Sequence, residues 1–254
     1  MKLTSLILTF WIMAANALIS QEQHSQFTQI LQSYVEHGRV NYNELCEDVR
    51  LQGYIKRLSR TNPDTITDDK ARLAFWLNAY NAFTLKVICE HYPLKSINEL
   101  HFGGLYIGSL LKKTIWDKKF IVINNNEMSL NDIEHGIVRA VFKDPRAHFA
   151  LVCASKSCPT LRSEAYEADK LEEQLDEQGR IFFSESDKNF FTIEKKQAQL
   201  SKILDWYADD FGNNDEEILL YVARFLPDEL AAAIKANPGK WSIKHTKYDW
   251  SLNE

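Results

Sequence analysis

One stretch limits how this chain can fold more than any other: Asp69 to His91, DKARLAFWLNAYNAFTLKVICEH. Leu73, Trp76, Leu77, Tyr80, Thr84, Val87 and Ile88 recur at helical spacing. The other side is nearly as apolar, with Ala74, Phe75, Ala82, Phe83 and Leu85. A helix that is apolar all round belongs in the centre of a fold, so the remaining elements must wrap it. Two amides, Asn78 and Asn81, sit inside it three residues apart, and therefore on one side. Burying an unpaired amide is costly. Each therefore either ties neighbouring segments together or serves a site, holding a substrate carbonyl or an oxyanion.

The elements around it are shorter. Helical periodicity runs from Gln21 to His37 and from Asn43 to Leu58, with Gly38 and Pro63 as breaks. Lys119 to Asn124 reads as a strand followed by an asparagine turn. Ser129 caps a helix reaching about Phe142, with Asp132 as a short-armed capping-box partner. Arg146 to Cys153, RAHFALVC, reads as a buried strand. Further helices are expected over 171–183, 201–207, 216–225 and 227–236, with short strands at 189–193, 198–200 and 241–250. Helices predominate around a small antiparallel sheet, an α+β class.

The first twenty residues, MKLTSLILTFWIMAANALIS, carry Lys2, an apolar run and then small residues at Ala15 and Ala17. That is the pattern of a secretory signal peptide, with cleavage expected between Ala17 and Ser20. Its apolar run is shorter than the ~20 residues of a spanning helix, and nothing later approaches that length. Residues 21–254 are expected to form one globular domain, periplasmic or secreted, with no membrane span. A net charge of −5 with scattered Lys and Arg leaves no nucleic-acid footprint. A small-molecule or peptide substrate is the partner class that remains. No cofactor motif and no metal-ligand set stands out.

Four cysteines, Cys46, Cys89, Cys153 and Cys158, allow three full pairings in an oxidising compartment. Cys153 and Cys158 sit in HFALVCASKSCPTLR. Cys158 follows a polar turn and precedes Pro159, where a helix start and Lys156 would lower a thiol pKa. A Cys153–Cys158 disulfide is the competing reading. His148 lies about 16 Å from Cys153 along an extended strand, too far to pair with it there. Upstream, SLNDIEHGIVR places Glu134 about 70° from the centre of its apolar stripe and His135 nearly opposite, by 100° steps. His245, with Asp249 downstream, is a rival imidazole.

These residues fall in blocks that resemble the domain of unknown function 547 family: AFWLNAYNAFTL (74–85), SLNDIEHGIVR (129–139), DPRAHFALVCASKSCPTLR (144–162), LDWYADDF (204–211) and YDWSLN (248–253). The resemblance implies a fold akin to papain-like or transglutaminase-like thiol enzymes, with a Cys–His–acid site in permuted chain order. It matches Glu134 and His135, Cys153 and Cys158, and His148 to the family's pattern; His245 lies outside it. The expectation is an exported thiol hydrolase or acyltransferase acting on an amide or thioester. Cys158 attacks, with Cys153 as its alternative, His135 is the general base, and Glu134 orients it. Asn78, Asn81 and His148 contact the substrate, and the glycine-bearing stretch at 103–108 borders the cleft. The alternative is a non-catalytic exported binding module with a structural Cys153–Cys158 disulfide.

Overall fold

The computed structural model describes residues 24–101 and 114–254, so the leader at 1–20 and the stretch at 103–108 lie outside the described residues. About 52% of the described residues are helical and 11% are strand in small sheets, an α+β fold.

The central helix runs Asp69–Cys89 and is buried on every side, as its composition requires. Asp68 caps it, its carboxylate accepting from the Lys70 N–H at 3.1 Å. Helix 24–34 and helix Val49–Arg60 pack on the same core, with Phe27 stacked on Tyr54 at 4.7 Å. A Cys46–Cys89 disulfide joins the end of the short helix Tyr42–Leu45 to the last residue of the central helix. Among the described residues, no helix is long and apolar enough to cross a membrane.

His24 lies in this packing, 2.7 Å from the Tyr54 hydroxyl. Burial, with help from the Arg57 charge, lowers its pKa to about 4. The unfolded chain takes up this proton near the ordinary value of 6.5, the folded chain only near 4. Between those values the unfolded state binds more protons, so stability falls as the pH drops through that window. Thermal melts should show this loss, and His24→Phe should flatten it.

The sheets are small. Val35–Glu36 pairs with Arg39–Val40 across a tight turn. Gly38 there takes φ +77°, and a Cβ on it would sit 2.3 Å from Thr160 Cγ2. Ile121–Ile123 pairs with Asn126–Met128 through Asn124 and Asn125, at φ 48° and 62°, as a two-residue hairpin turn demands. Phe190–Thr192 runs antiparallel to Gln197–Leu200, which takes Ser242–His245 as a parallel neighbour.

Two segments depart from their expected form, and both reach the site. Ala147–Ala150 is a helical turn, not part of a strand. The Asp144 carboxylate accepts from the Arg146 N–H at 2.9 Å, and bonds from the Ala147, His148 and Phe149 amides to the carbonyls three residues back wind the chain. A short buried apolar run has no periodicity with which to separate these forms. The second is Asp132–Phe142, which is a π-helix. Its start is the expected capping box: Ser129 N–H donates to Asp132 Oδ2 at 2.8 Å, and Asp132 N–H to Ser129 Oγ at 3.0 Å. Its wider turn then shifts the buried face. Ile133, Glu134 and Val138 are buried, while Val141 is 57% exposed.

Two hydrophobic clusters result. The larger surrounds the central helix. The smaller gathers Phe149, Phe182, Phe183, Phe211 and Phe225 with the C-terminal helices. The candidate site draws side chains from both.

Candidate functional site: paired thiols in an aromatic cavity

A cavity of about 570 Å³ opens where the two clusters meet, within the size range of small-molecule sites. Tyr80 of the central helix and Glu134 of the π-helix reach it from the larger cluster's side. His148, Leu151, Cys153 and Cys158 come from the 144–162 block, and Tyr207, Tyr248 and Trp250 from the C-terminal part.

Cys153 and Cys158 are both unbonded; among the described residues the disulfide is Cys46–Cys89. The backbone N–H of Cys153 donates to Cys158 Sγ at 2.7 Å. Cys153 Sγ lies 3.2 Å from Ser155 Oγ and 3.2 Å from the Tyr248 hydroxyl. Burial alone would raise the Cys153 pKa. Hydrogen bonds from Cys158, Ser155 and Tyr248 outweigh it and lower the pKa to about 7. Burial pushes the Cys158 thiol up, and its hydrogen bond to Cys153 pushes it further. The pair is thus unequal: Cys153 is the more acidic thiol, and Cys158 stays protonated beside it.

This reverses the electrostatic argument made for Cys158 from sequence. No helix starts at Cys158; it lies buried in the turn that follows Ser155. Ala154, directly after Cys153, sits at φ 60°, a left-handed conformation that a non-glycine residue adopts at some cost. The C-terminal segment holds this turn in place. Lys156 N–H donates to the Ser251 carbonyl at 2.8 Å, Asn253 N–H to Ala154 at 3.2 Å, and Asp249 N–H to Ser157 Oγ at 2.8 Å.

His148 is buried, and the helical turn at Ala147–Ala150 shortens the separation that an extended strand would impose. It and Cys153 line the same cavity. His148 Nε2 is 2.6 Å from Asp210 Oδ2, and its ring stacks on Tyr207 at 4.1 Å. Burial lowers its pKa more than Asp210 raises it, so the imidazole is neutral. Arg139 clamps the same carboxylate, with Nε to Oδ2 at 2.6 Å and Nη2 to Oδ1 at 2.9 Å. Burial raises the Asp210 pKa, but the Arg139 and His148 bonds prevail and hold it below the usual range.

Glu134 accepts a 2.6 Å hydrogen bond from the Tyr207 hydroxyl. His135 points away from the cavity: it is exposed, with Nδ1 2.9 Å from Arg139 Nη1. The two therefore diverge, as neighbours on a helix must. His245 does not line the cavity either, and Asp249 is occupied by the Ser251 N–H at 2.9 Å.

The two helix amides are fully used in binding the backbone. Asn78 bridges Tyr166 with Nδ2 to the carbonyl at 2.8 Å and Oδ1 from the N–H at 2.9 Å. Asn81 spans Ala150 O and Val152 N, both at 2.9 Å, and so fixes the chain on which His148 and Cys153 sit. Neither lines the cavity. Asn81→Ala orphans both backbone groups and should cost roughly 2–6 kcal/mol, measurable by urea unfolding.

Tyr207, Asp210, Tyr248 and Trp250 were assigned no role from sequence. Their signal was present in the LDWYADDF and YDWSLN blocks, but the hydrogen-bond partners of Tyr207, Asp210 and Tyr248 in the cavity, Glu134, His148 and Cys153, lie 62 or more residues away. Among the described residues, no group of three or more His, Cys, Asp or Glu side chains could hold a metal ion.

The fold and site define an α+β chain whose cavity holds a low-pKa thiol, an aromatic lining and a buried imidazole bonded to a half-buried carboxylate. Residues 63–183 match the family model described as "Protein of unknown function, DUF547", which supports the resemblance to the domain of unknown function 547 family. That span holds the central helix, the π-helix and both thiols; Tyr207, Asp210, Tyr248 and Trp250 lie beyond it. No curated protein and no solved structure gives a significant match to the chain.

Proposed function

We propose that this protein is an exported thiol hydrolase or acyltransferase acting on an amide or thioester, with Cys153 as nucleophile. The observation that carries this reading is the unequal thiol pair: Cys153 has a pKa lowered to about 7 and faces a cavity that also contains a neutral, carboxylate-bound His148. His148 takes the role that the sequence reading gives His135, and Asp210 takes that given to Glu134. Cys158 becomes the group that stabilises the thiolate.

The reaction follows from these roles. Cys153 passes its proton to His148 as Sγ bonds to the substrate carbonyl carbon. The tetrahedral species collapses, and His148 returns the proton to the leaving amine or thiol. Water then attacks the acyl-thioester, with His148 accepting its proton, and the carboxylic acid departs as the thiol is restored. An amine in place of water gives acyl transfer. Asp210, fixed by Arg139, keeps the imidazole in one tautomer and stabilises its charged form. The chain order His148, Cys153, Asp210 accords with a permuted papain-like or transglutaminase-like site. Export is supported by the leader-like first twenty residues and by the Cys46–Cys89 disulfide, a bond that persists in oxidising compartments.

Asp210→Asn keeps the shape of the side chain and removes the charge that stabilises imidazolium. Turnover of an activated amide or thioester should fall by about 10²-fold or more with little change in KM. An unchanged kcat would remove Asp210, and with it the proposed base, from the mechanism.

A further inference from the structure

Two side chains that line the cavity each keep an oxygen without a partner among the described residues, and the two oxygens are of opposite kinds. Tyr80, on the central helix, is 2% exposed, and its hydroxyl makes no hydrogen bond there. Glu134, on the π-helix packed against that helix, is 7% exposed. Tyr207 donates to its Oε1 at 2.6 Å, while Oε2 is left without a donor. Neither oxygen is sealed in: the described side-chain atoms that are both buried and unpartnered belong to Asn98, His101, Arg162, Glu185 and Tyr221. An open oxygen on so deeply buried a side chain opens onto the cavity that the side chain lines.

Burial first, then the charges of Glu134 and ionised Cys153, hold the Tyr80 pKa well above its ordinary value. The phenol therefore keeps its proton and is a donor. Glu134 Oε2 is an acceptor. The Arg139 guanidinium, 4.9 Å from the Tyr207 ring, also acts on Glu134 and supplies a counter-charge, but it makes no hydrogen bond to Oε2. A deeply placed acceptor without a donor costs free energy until a ligand supplies one. Beside a reactive thiol, one donor and one acceptor match a group that carries both a C=O and an N–H.

We propose that Tyr80 and Glu134 recognise the reacting group as a primary or secondary amide, Tyr80 donating to its carbonyl oxygen and Glu134 Oε2 accepting from its N–H. The inference rests on the proposed thiol acyl-transfer reaction and narrows its substrate to amides over thioesters. As Cys153 Sγ bonds to the carbonyl carbon, the C=O π pair moves onto the oxygen that Tyr80 holds. The C–N bond then breaks, its electron pair stays on nitrogen with the proton from His148, and Glu134 keeps the original N–H. A thioester has no N–H and leaves Oε2 unmatched, the loss by which a hydrogen-bonding site rejects an analogue. Tyr80 is thus a catalytic residue and Glu134 a specificity-determining one.

The test compares three alkylating probes on the full chain. Cys153 labelling is read by mass spectrometry, and each rate is divided by that of N-acetylcysteine. Iodoacetamide carries the carbonyl and the N–H, methyl iodoacetate the carbonyl alone, and iodoethane neither. Ratios between probes cancel any change in the ionisation of Cys153. Iodoacetamide should exceed methyl iodoacetate by about tenfold or more. E134Q should erase that preference, because its one carbonyl oxygen stays with Tyr207 and its NH2, a donor, meets the N–H of the probe. Y80F should slow both carbonyl probes about threefold or more relative to iodoethane. With no partner to lose, it should melt as wild type does. Equal probe ratios in wild type and E134Q, or Y80F rates that match wild type for all three probes, would overturn the inference and leave the thiol reading standing. Failure of every probe to label Cys153 would overturn both.

Discussion

Cys153→Ala should abolish covalent labelling by an electrophilic amide probe and eliminate turnover of any amide or thioester substrate, while the melting temperature stays close to wild type. The Cys153 side chain is only partly buried, so loss of its sulfur leaves a small defect. Cys158→Ala should behave differently. It removes a hydrogen bond that lowers the Cys153 pKa, so labelling should persist but its pH midpoint should move upward. His148→Ala should lower turnover by about 10²–10⁴-fold, the usual contribution of a general base. Equal loss in Cys153→Ala and Cys158→Ala, with no shift in midpoint, would refute the division of roles between the thiols.

The second large effect concerns the scaffold. Phe149 is fully buried, stacks on Phe182 at 5.0 Å and Phe211 at 5.7 Å, and meets Phe183 and Phe225 edge-on at 5.2 and 5.8 Å. Phe149→Ala should therefore destabilise the chain by about 3–5 kcal/mol. Its backbone neighbour is His148, whose ring also contacts Phe211 at 5.4 Å. Loss of activity should accordingly appear at temperatures below the global melt, as the imidazole loses its support. Chemical unfolding monitored alongside turnover separates the two. A destabilisation under about 1 kcal/mol would mean that the smaller cluster does not hold the site.

The sequence was most informative where a local rule decides the structure. The all-round apolar pattern of Asp69 to His91 identified the central helix, and the Ser129 and Asp132 pairing identified the start of the π-helix. It was least informative where tertiary geometry overrides local pattern. A wheel drawn at 100° per residue cannot place Glu134 correctly on a π-helix, whose wider turn brings it onto the buried face. His148 looked too remote from Cys153 because FALV reads as a strand; one helical turn shortens that distance, and both residues line one cavity.

The remaining site residues depend on pairings distant in sequence. Nothing near Cys153 indicates that Tyr248 will hydrogen-bond to it, and nothing near His148 indicates Asp210. An even cysteine count raises the possibility of disulfides, but only the fold brings Cys46 to Cys89. Asn78 and Asn81 were legible as buried amides. Whether they serve substrate or backbone depends on Tyr166, Ala150 and Val152, which lie 69 to 88 residues away.

The central claim is that Cys153 is the more acidic thiol of an unequal pair. The most direct measurement is the pH dependence of iodoacetamide alkylation, read for each cysteine by mass spectrometry of the digested chain. The account predicts that Cys153 is modified first, with a rate midpoint near pH 7, while Cys158 reacts only at strongly alkaline pH. Preferential alkylation of Cys158, or a Cys153 midpoint at or above the ordinary thiol value, would contradict it.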